Sequence, residues 1–188
     1  KKINLATAVL IAPLRNPALL AKNAATLDAI SKGRLELGVG LGWQKEEFDA
    51  AGVSFEDRTE IFWETLDICK LLWHDSPISF HGKHFNFDDI WCHPQPIQGQ
   101  DLPLLFGLKM THENAQRIAK VGHGWIPIKT SRDFISAGRE ILSEAFMKED
   151  RQDQPRIRGQ LPTCVDENGV PNIDLTLKEL EKSMTAGL

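Results

Sequence analysis

The residues best suited to bind an anion lie just ahead of a predicted helix and read Gly107-Leu108-Lys109-Met110-Thr111. Backbone N–H groups at a helix N-terminus have no intrahelical partner, so with the Lys109 ammonium and the Thr111 hydroxyl they could hold a phosphate group. Capping of the helix by Thr111 explains the same residues equally well. The segment is therefore either a phosphate-binding loop or a capped helix start.

A second segment is rich in glycine and reads Gly38-Val39-Gly40-Leu41-Gly42. Its G-x-G-x-G spacing differs from the G-x-G-x-x-G of dinucleotide-binding folds, and no acidic residue ends a following strand at the expected distance. An NAD site of that type is therefore disfavoured. Two explanations stay open: the glycines permit a tight turn, or the missing Cβ atoms let a flat ring lie close to the backbone.

The sequence contains no motif that is typical of a metal site or of a catalytic nucleophile. The six histidines lack H-E-x-x-H and H-x-H spacings, and no G-x-S-x-G motif occurs, so no metal site is predicted and catalytic residues stay unidentified. Cys69, Cys92 and Cys164 are widely spaced without a C-x-x-C pair, which favours thiols in a reducing cytoplasm. Cys69 lies among apolar residues and is predicted to be a small buried side chain.

Composition places the chain among ordinary globular domains and narrows its partners. The 188 residues are 41% hydrophobic and 26% charged, with a formal net charge of -4 and no block of Lys or Arg. Nucleic acids and anionic membranes are therefore not expected partners. The longest apolar run, residues 5–14, is too short to span a membrane, which needs about 20 residues.

The elements that must position these segments alternate between strands and helices. Five strand–helix units with short connections imply one domain with a parallel sheet, either doubly wound or closed into a barrel. The predicted strands cover residues 3–12, 34–39, 102–107, 125–128 and 157–165, and a hairpin insertion covers 78–90. The predicted helices run from Asn16 to Gly33, over 44–51, 58–73 and 111–121, from Thr130 and Asp133 to Lys148, and from a Thr176/Glu179 capping box to Gly187.

Several longer motifs carry a family resemblance. They are Ala6-Thr7-Ala8-Val9-Leu10-Ile11-Ala12-Pro13-Leu14-Arg15-Asn16-Pro17, Ser31-Lys32-Gly33-Arg34, Glu46-Glu47-Phe48, Phe80-His81-Gly82-Lys83, Pro94-Gln95-Pro96 and Gly122-His123-Gly124-Trp125. With these motifs the chain resembles the luciferase-like monooxygenase family. The resemblance implies an α/β fold of the (β/α)8 TIM-barrel type, here incomplete, with the third to seventh units present. It also implies that the sequence is a piece of a longer protein, since a complete barrel needs about 250 residues.

The resemblance assigns roles to three segments. Ala8 and Val9 match the position of a non-prolyl cis peptide behind the cofactor ring, and Gly40 matches a position near that ring. Gly107, Leu108, Lys109, Met110 and Thr111 match the phosphate-binding loop, although the common Gly-Gly-x-Ser form is absent. The implied cofactor is FMN or coenzyme F420, and both stay open.

The implied activity is redox chemistry on a small organic substrate. Reduced FMN would activate oxygen, or F420 would exchange hydride with the substrate. Alkanesulfonates are disfavoured, because Gln160-Leu161-Pro162 replaces the Arg-x-His pair of that branch. A non-catalytic fragment or a flavin-binding relative without turnover is the alternative. The chain alone is expected to expose two unpaired sheet edges, at residues 5–11 and 157–165, and therefore to form homo-oligomers and bind cofactor weakly.

Overall fold

The computed structural model describes residues 3–129, 131–160 and 163–185. The chain forms two compact units, residues 1–104 and residues 105–188. Each unit contains short parallel strands that alternate with helices. The boundary between the two units falls inside the strand Leu104–Gly107.

The sheet of the first unit is built on β3, Leu35–Gly40, which is buried along its whole length. Strands β1 (Leu5–Ala6) and β2 (Leu10–Ile11) both pair with β3 in parallel. The single strand predicted over residues 3–12 is therefore wrong in its continuity, because three residues interrupt the ladder. Within that interruption the Thr7 hydroxyl donates to the Gly38 carbonyl at 2.7 Å.

Helix α1 (Pro17–Ser31) begins and ends close to where the sequence places it. Asn16 is the N-cap, and its side chain accepts the Leu19 N–H. Lys32 and Gly33 both adopt the left-handed conformation that ends the helix. The predicted start and stop residues lie at the observed ends of the helix, so the prediction of this helix is confirmed.

A buried carboxylate joins the end of α1 to its surroundings. Asp28 is fully buried and accepts hydrogen bonds from the Leu35 N–H, the Gln98 N–H and the Gln98 side-chain amide. The Gln98 amide also donates to the Leu35 carbonyl at 2.8 Å. These contacts satisfy the polar atoms that burial would otherwise leave without partners.

Helices α2 (Lys45–Ala51) and α3 (Arg58–His74) follow β3, and a hairpin of β4 (Ile78–His81) and β5 (Asn86–Ile90) follows α3. The predicted hairpin insertion is therefore present. Helix α3 packs against α1 with a buried face that includes Phe62, Leu66 and Cys69. The Trp73 indole N–H on that face donates to the Ala21 carbonyl at 3.0 Å.

In the second unit, β6 (Leu104–Gly107) pairs with β7 (Gly124–Trp125), which pairs with β8 (Arg156–Ile157), all in parallel. Helix α4 (His112–Val121) packs against α5 (Arg132–Lys148). Strand β7 is shorter than the predicted 125–128. The N-cap of α5 is Ser131, and the predicted cap at Thr130 lies outside the described residues.

Two predictions near the C-terminus are wrong. The strand over 157–165 is reduced to Arg156–Ile157, and Val165 instead forms an antiparallel bridge with Pro171. Helix α6 (Ile173–Thr185) begins three residues before the predicted Thr176 cap. The Asn172 side chain accepts the Leu175 N–H and so caps the helix earlier. Leu161, Pro162 and Gly187 lie outside the described residues.

Candidate functional site

In the first unit, two parallel strands end side by side. Ile11 ends β2 and is paired with Gly40, the last residue of β3. Gly40 is buried, and a turn from Ala12 to Leu14 follows β2 directly. Ligands of parallel α/β folds bind at the carboxyl ends of the strands. This edge is therefore where a ligand of the first unit is expected to bind.

Ala8 and Val9 lie just before β2, between the two short strands that pair with β3. Their peptide bond is cis, as predicted. Val9 is 37% exposed and Ala8 is also exposed, so both residues are accessible. The structure thus places Gly40 in the short ladder of β2 and β3, and Ala8 and Val9 directly before β2.

The loop after β3 contains Gly42, which belongs to the glycine-rich segment of the sequence analysis, and Trp43, which the sequence did not single out. Gly42 has a φ of +80°, and a Cβ atom there would lie 2.8 Å from side-chain atoms of Ile11 and Phe48. The tight-turn explanation is therefore correct for Gly42. The next residue, Trp43, is 82% exposed. The position of this tryptophan, directly after a glycine-rich strand end, could have indicated a ligand contact. A large apolar side chain is costly to leave exposed to water.

In the second unit, the segment after β6 is held by its carbonyl groups. The buried Leu108 carbonyl accepts the Trp125 indole N–H at 2.9 Å. The Lys109 carbonyl accepts the Asn114 side-chain amide, also at 2.9 Å. Both carbonyls are therefore committed to the protein, while the Lys109 side chain is exposed.

The start of α4 is capped and still offers donors. Thr111 accepts the Asn114 N–H on its hydroxyl oxygen at 3.2 Å and the Ala115 N–H on its carbonyl at 2.8 Å. The capping explanation of Thr111 is therefore correct. Of the first-turn amides, those of His112 and Glu113 find no acceptor in the described part of the chain. Two amides, a positive helix end and an exposed ammonium fit a phosphate group.

The buried cysteines are not suited to nucleophilic chemistry. Burial raises the pKa of the Cys69 thiol, with a smaller contribution from Cys92, and burial also raises the pKa of Cys92. Such thiols are poor nucleophiles. Residues 3–129, 131–160 and 163–185 contain no cluster of His, Cys, Asp and Glu that could hold a metal ion. No helix within these ranges is both long and apolar enough to cross a membrane.

Comparison with known sequences identifies relatives over most of the chain. A family model described as luciferase-like monooxygenase matches residues 1–169. An uncharacterized protein of Mycobacterium tuberculosis is 34% identical over 154 residues, covering 76% of this chain and 54% of the relative. The FMNH2-dependent dimethylsulfone monooxygenase of Pseudomonas putida is 35% identical over 101 residues, covering 52% and 28%.

Solved structures share the fold. The monooxygenase RslO1 from Streptomyces bottropensis matches with a TM-score of 0.79 and 23% identity, over 97% of this chain and 56% of that chain. An F420-dependent secondary alcohol dehydrogenase matches with a TM-score of 0.70 and 23% identity, over 85% and 48%. The predicted fold class, an incomplete (β/α)8-type α/β fold, is confirmed. The chain spans about half the length of the Mycobacterium tuberculosis relative and of RslO1.

Proposed function

The chain belongs to the luciferase-like monooxygenase family, and we propose that the whole protein is an oxidoreductase that oxygenates a small organic substrate with reduced FMN and oxygen. The capped start of α4, with its committed carbonyls and available amides, is the observation that carries the proposal. When bound, reduced FMN supplies the electrons that activate oxygen. The family relationship and an FMNH2-dependent relative at 35% identity support this assignment.

The protein's own residues would bind and orient the cofactor. The amides of His112 and Glu113 and the Lys109 ammonium would hold the phosphate, within a loop that extends from Gly107 to Thr111. In the first unit, the absence of a side chain at Gly40 would let a flat ring approach the backbone of β3. Ala8 and Val9 would contact the same ring. The cytoplasm is the proposed compartment, which the three reduced cysteines support.

The second candidate is hydride exchange between coenzyme F420 and the substrate. The loop Gly107-Leu108-Lys109-Met110-Thr111 lacks the common Gly-Gly-x-Ser form, and an F420-dependent secondary alcohol dehydrogenase shares the fold. The two candidates differ in their need for oxygen. Oxygen uptake that depends on both substrate and reduced FMN supports the first, and anaerobic reduction of F420 by the substrate supports the second.

A charge reversal tests the phosphate assignment. We expect Lys109→Glu to weaken FMN binding by about tenfold or more, because a negative side chain replaces a cation beside the phosphate. Riboflavin lacks the phosphate, so its affinity should not change. Lys120→Glu, in the last turn of the helix α4 that follows the loop, is the matched control. Flavin fluorescence titration of the whole protein measures the affinities of both variants for FMN and for riboflavin. An unchanged affinity of Lys109→Glu for FMN contradicts the assignment.

A further inference from the structure

The first unit contains a cavity of about 390 Å³ that shares no residue with the proposed cofactor segments. Four parts of the unit form its wall: the turn after β2 with the start of α1, the residues that follow α2, one turn of α3, and the tip of the hairpin. Ligand pockets in proteins commonly have volumes of about 300–1,000 Å³. The cavity is therefore large enough for a small organic molecule.

Most of the side chains around the cavity are apolar. They are Pro13, Leu14, Ala51, Val53, Ile61 and Phe85. Pro13 and Ile61 are buried, Leu14, Val53 and Phe85 are half-buried, and Ala51 is exposed. A ligand with a hydrocarbon body would remove this surface from water at about 25 cal/mol per Å² of apolar area. The wall therefore offers an apolar surface to the hydrocarbon part of a ligand.

The polar groups on the wall are mainly hydrogen-bond donors. The side-chain oxygen of Asn16 already accepts the Leu19 N–H, so the side-chain NH2 group of Asn16 is left to bind a ligand. The Ser54 oxygen accepts the Asp57 N–H, which leaves its hydroxyl hydrogen. Arg15 adds a guanidinium group, for which no ion pair is found in the described ranges. These donors require an acceptor on the ligand.

Carboxylates do not compete for the Arg15 guanidinium on this wall, because no Asp or Glu lines the cavity. The two carboxylates of α3 nearest to the hairpin have other partners. Glu64 accepts the N–H groups of His84 and Phe85, and Glu60 pairs with Lys83 and His84. The charge on the cavity wall is therefore positive and suits an anion.

We propose that this cavity binds a small organic acid whose hydrocarbon body contacts the apolar wall and whose carboxylate pairs with Arg15. The Asn16 amide and the Ser54 hydroxyl donate to the same carboxylate. The proposal does not rest on the FMN assignment, since it uses only residues of the first unit outside the cofactor segments. A carboxylate substrate and a carboxylate effector share this chemistry, and turnover distinguishes them.

Binding of octanoate and of its uncharged analogue octanamide to the whole protein tests the proposal. Isothermal titration calorimetry should show octanoate binding that Arg15→Gln weakens by about tenfold or more, because a charge-assisted hydrogen bond is lost. The affinity for octanamide should change little. Arg132→Gln, an exposed arginine of α5, removes the same charge elsewhere and should change neither affinity.

A second variant tests the apolar wall. Val53→Ser should weaken octanoate and octanamide alike, since both ligands lose the same hydrocarbon contact. Failure of octanoate to bind the unchanged protein overturns the proposal, and so does equal weakening by Arg15→Gln and Arg132→Gln. Octanoate binding that persists in Lys109→Glu supports it and keeps the test separate from the FMN assignment. Oxidation of the bound acid identifies a substrate, whereas altered turnover of another compound identifies an effector.

Discussion

Two buried tryptophans perform the same task in the two units. The Trp73 indole N–H donates to the Ala21 carbonyl at 3.0 Å, and the Trp125 indole N–H donates to the Leu108 carbonyl at 2.9 Å. Both rings are almost completely buried. A carbonyl left without such a donor in the interior costs about 1–3 kcal/mol. Only the second of these bonds holds the loop that is proposed to bind phosphate.

Substitution of each of these tryptophans distinguishes an effect on the stability of the protein from an effect on FMN binding. We expect Trp125→Phe and Trp73→Phe each to lower the free energy of unfolding by about 1–3 kcal/mol, because each loses a buried hydrogen bond and the packing of the larger indole ring. Only Trp125→Phe should also weaken FMN binding, since it releases the Leu108 carbonyl. Urea denaturation and flavin titration measure the two effects. Equal FMN affinities of the two variants would show that the indole does not position the loop.

The buried thiols make stability depend on pH. Because burial raises the pKa of Cys69 and Cys92, the native state keeps both thiols protonated at a pH where an unfolded thiol, with a pKa of 9.0, ionises. The stabilisation is complete below pH 9.0 and is lost as the pH rises further. We expect the free energy of unfolding to fall between pH 8 and about 9.5.

Urea denaturation across that pH range checks this expectation, and Cys69→Ala is the comparison. The variant loses stability at every pH from the cavity that it creates, but its pH dependence should be shallower. The chain contains no tyrosine, so phenol ionisation does not contribute. Parallel pH profiles of the variant and the unchanged protein would contradict a role for the Cys69 thiol.

At the scale of elements, the hairpin is anchored to α3 by two carboxylates of different kinds. Glu64 accepts the backbone N–H groups of His84 and Phe85 at 3.1–3.3 Å, in a half-buried position. A Cβ atom at Gly82 would lie 1.7 Å from the Glu64 Oε1 atom, so the carboxylate fits closely under the turn. Glu60 is exposed and contacts the Lys83 and His84 side chains.

We expect Glu64→Ala to lower the free energy of unfolding by about 1–3 kcal/mol, because two backbone amides lose a charged acceptor. Glu60→Ala should cost less, since water screens an exposed ion pair. Urea denaturation compares the free energies of unfolding of the two variants. Amide hydrogen exchange of His84 and Phe85 shows whether the loss of stability lies in the hairpin. Faster exchange in Glu60→Ala than in Glu64→Ala would show that the side-chain ion pair holds the hairpin.

The sequence predicted those elements whose signals are local. The Asn16-Pro17 start of α1, the left-handed end at Lys32 and Gly33, and the hairpin all depend on neighbouring residues. The predicted strand over 3–12 was too long, because a run of apolar residues does not reveal where the backbone stops pairing. At α6, the Thr176 capping box competed with Asn172, and the earlier cap prevailed.

Contacts between distant residues were not predictable in the same way. Asp28 and Gln98 lie 70 positions apart, and Glu64 and His84 lie 20 apart. Nothing in a single sequence links such pairs. The resemblance to a family did supply the cis peptide at Ala8 and Val9, which the structure contains. The residues proposed to bind cofactor stay predictions, and the exposed Trp43 was missed.

At the scale of the whole molecule, the edge strand of the first unit determines how the chain behaves alone. Strand β1 pairs with β3, and no strand pairs with its other side in residues 3–129, 131–160 and 163–185. Apolar side chains lie along this edge, with Ile3 71% exposed and Leu5 38% exposed. Unpaired N–H and C=O groups beside apolar side chains form a template for a second copy of the chain.

We therefore expect the 188-residue chain to self-associate, and Leu5→Lys to reduce that association by placing a charge on the edge. Ile30→Lys is the matched control, because Ile30 is 74% exposed on α1 and the substitution adds the same charge away from the edge. Sedimentation velocity over a range of concentrations measures the effect. A chain that stays monomeric throughout, or that responds equally to both substitutions, would show that β1 is not the interface, since only a contact through this edge distinguishes Leu5 from Ile30.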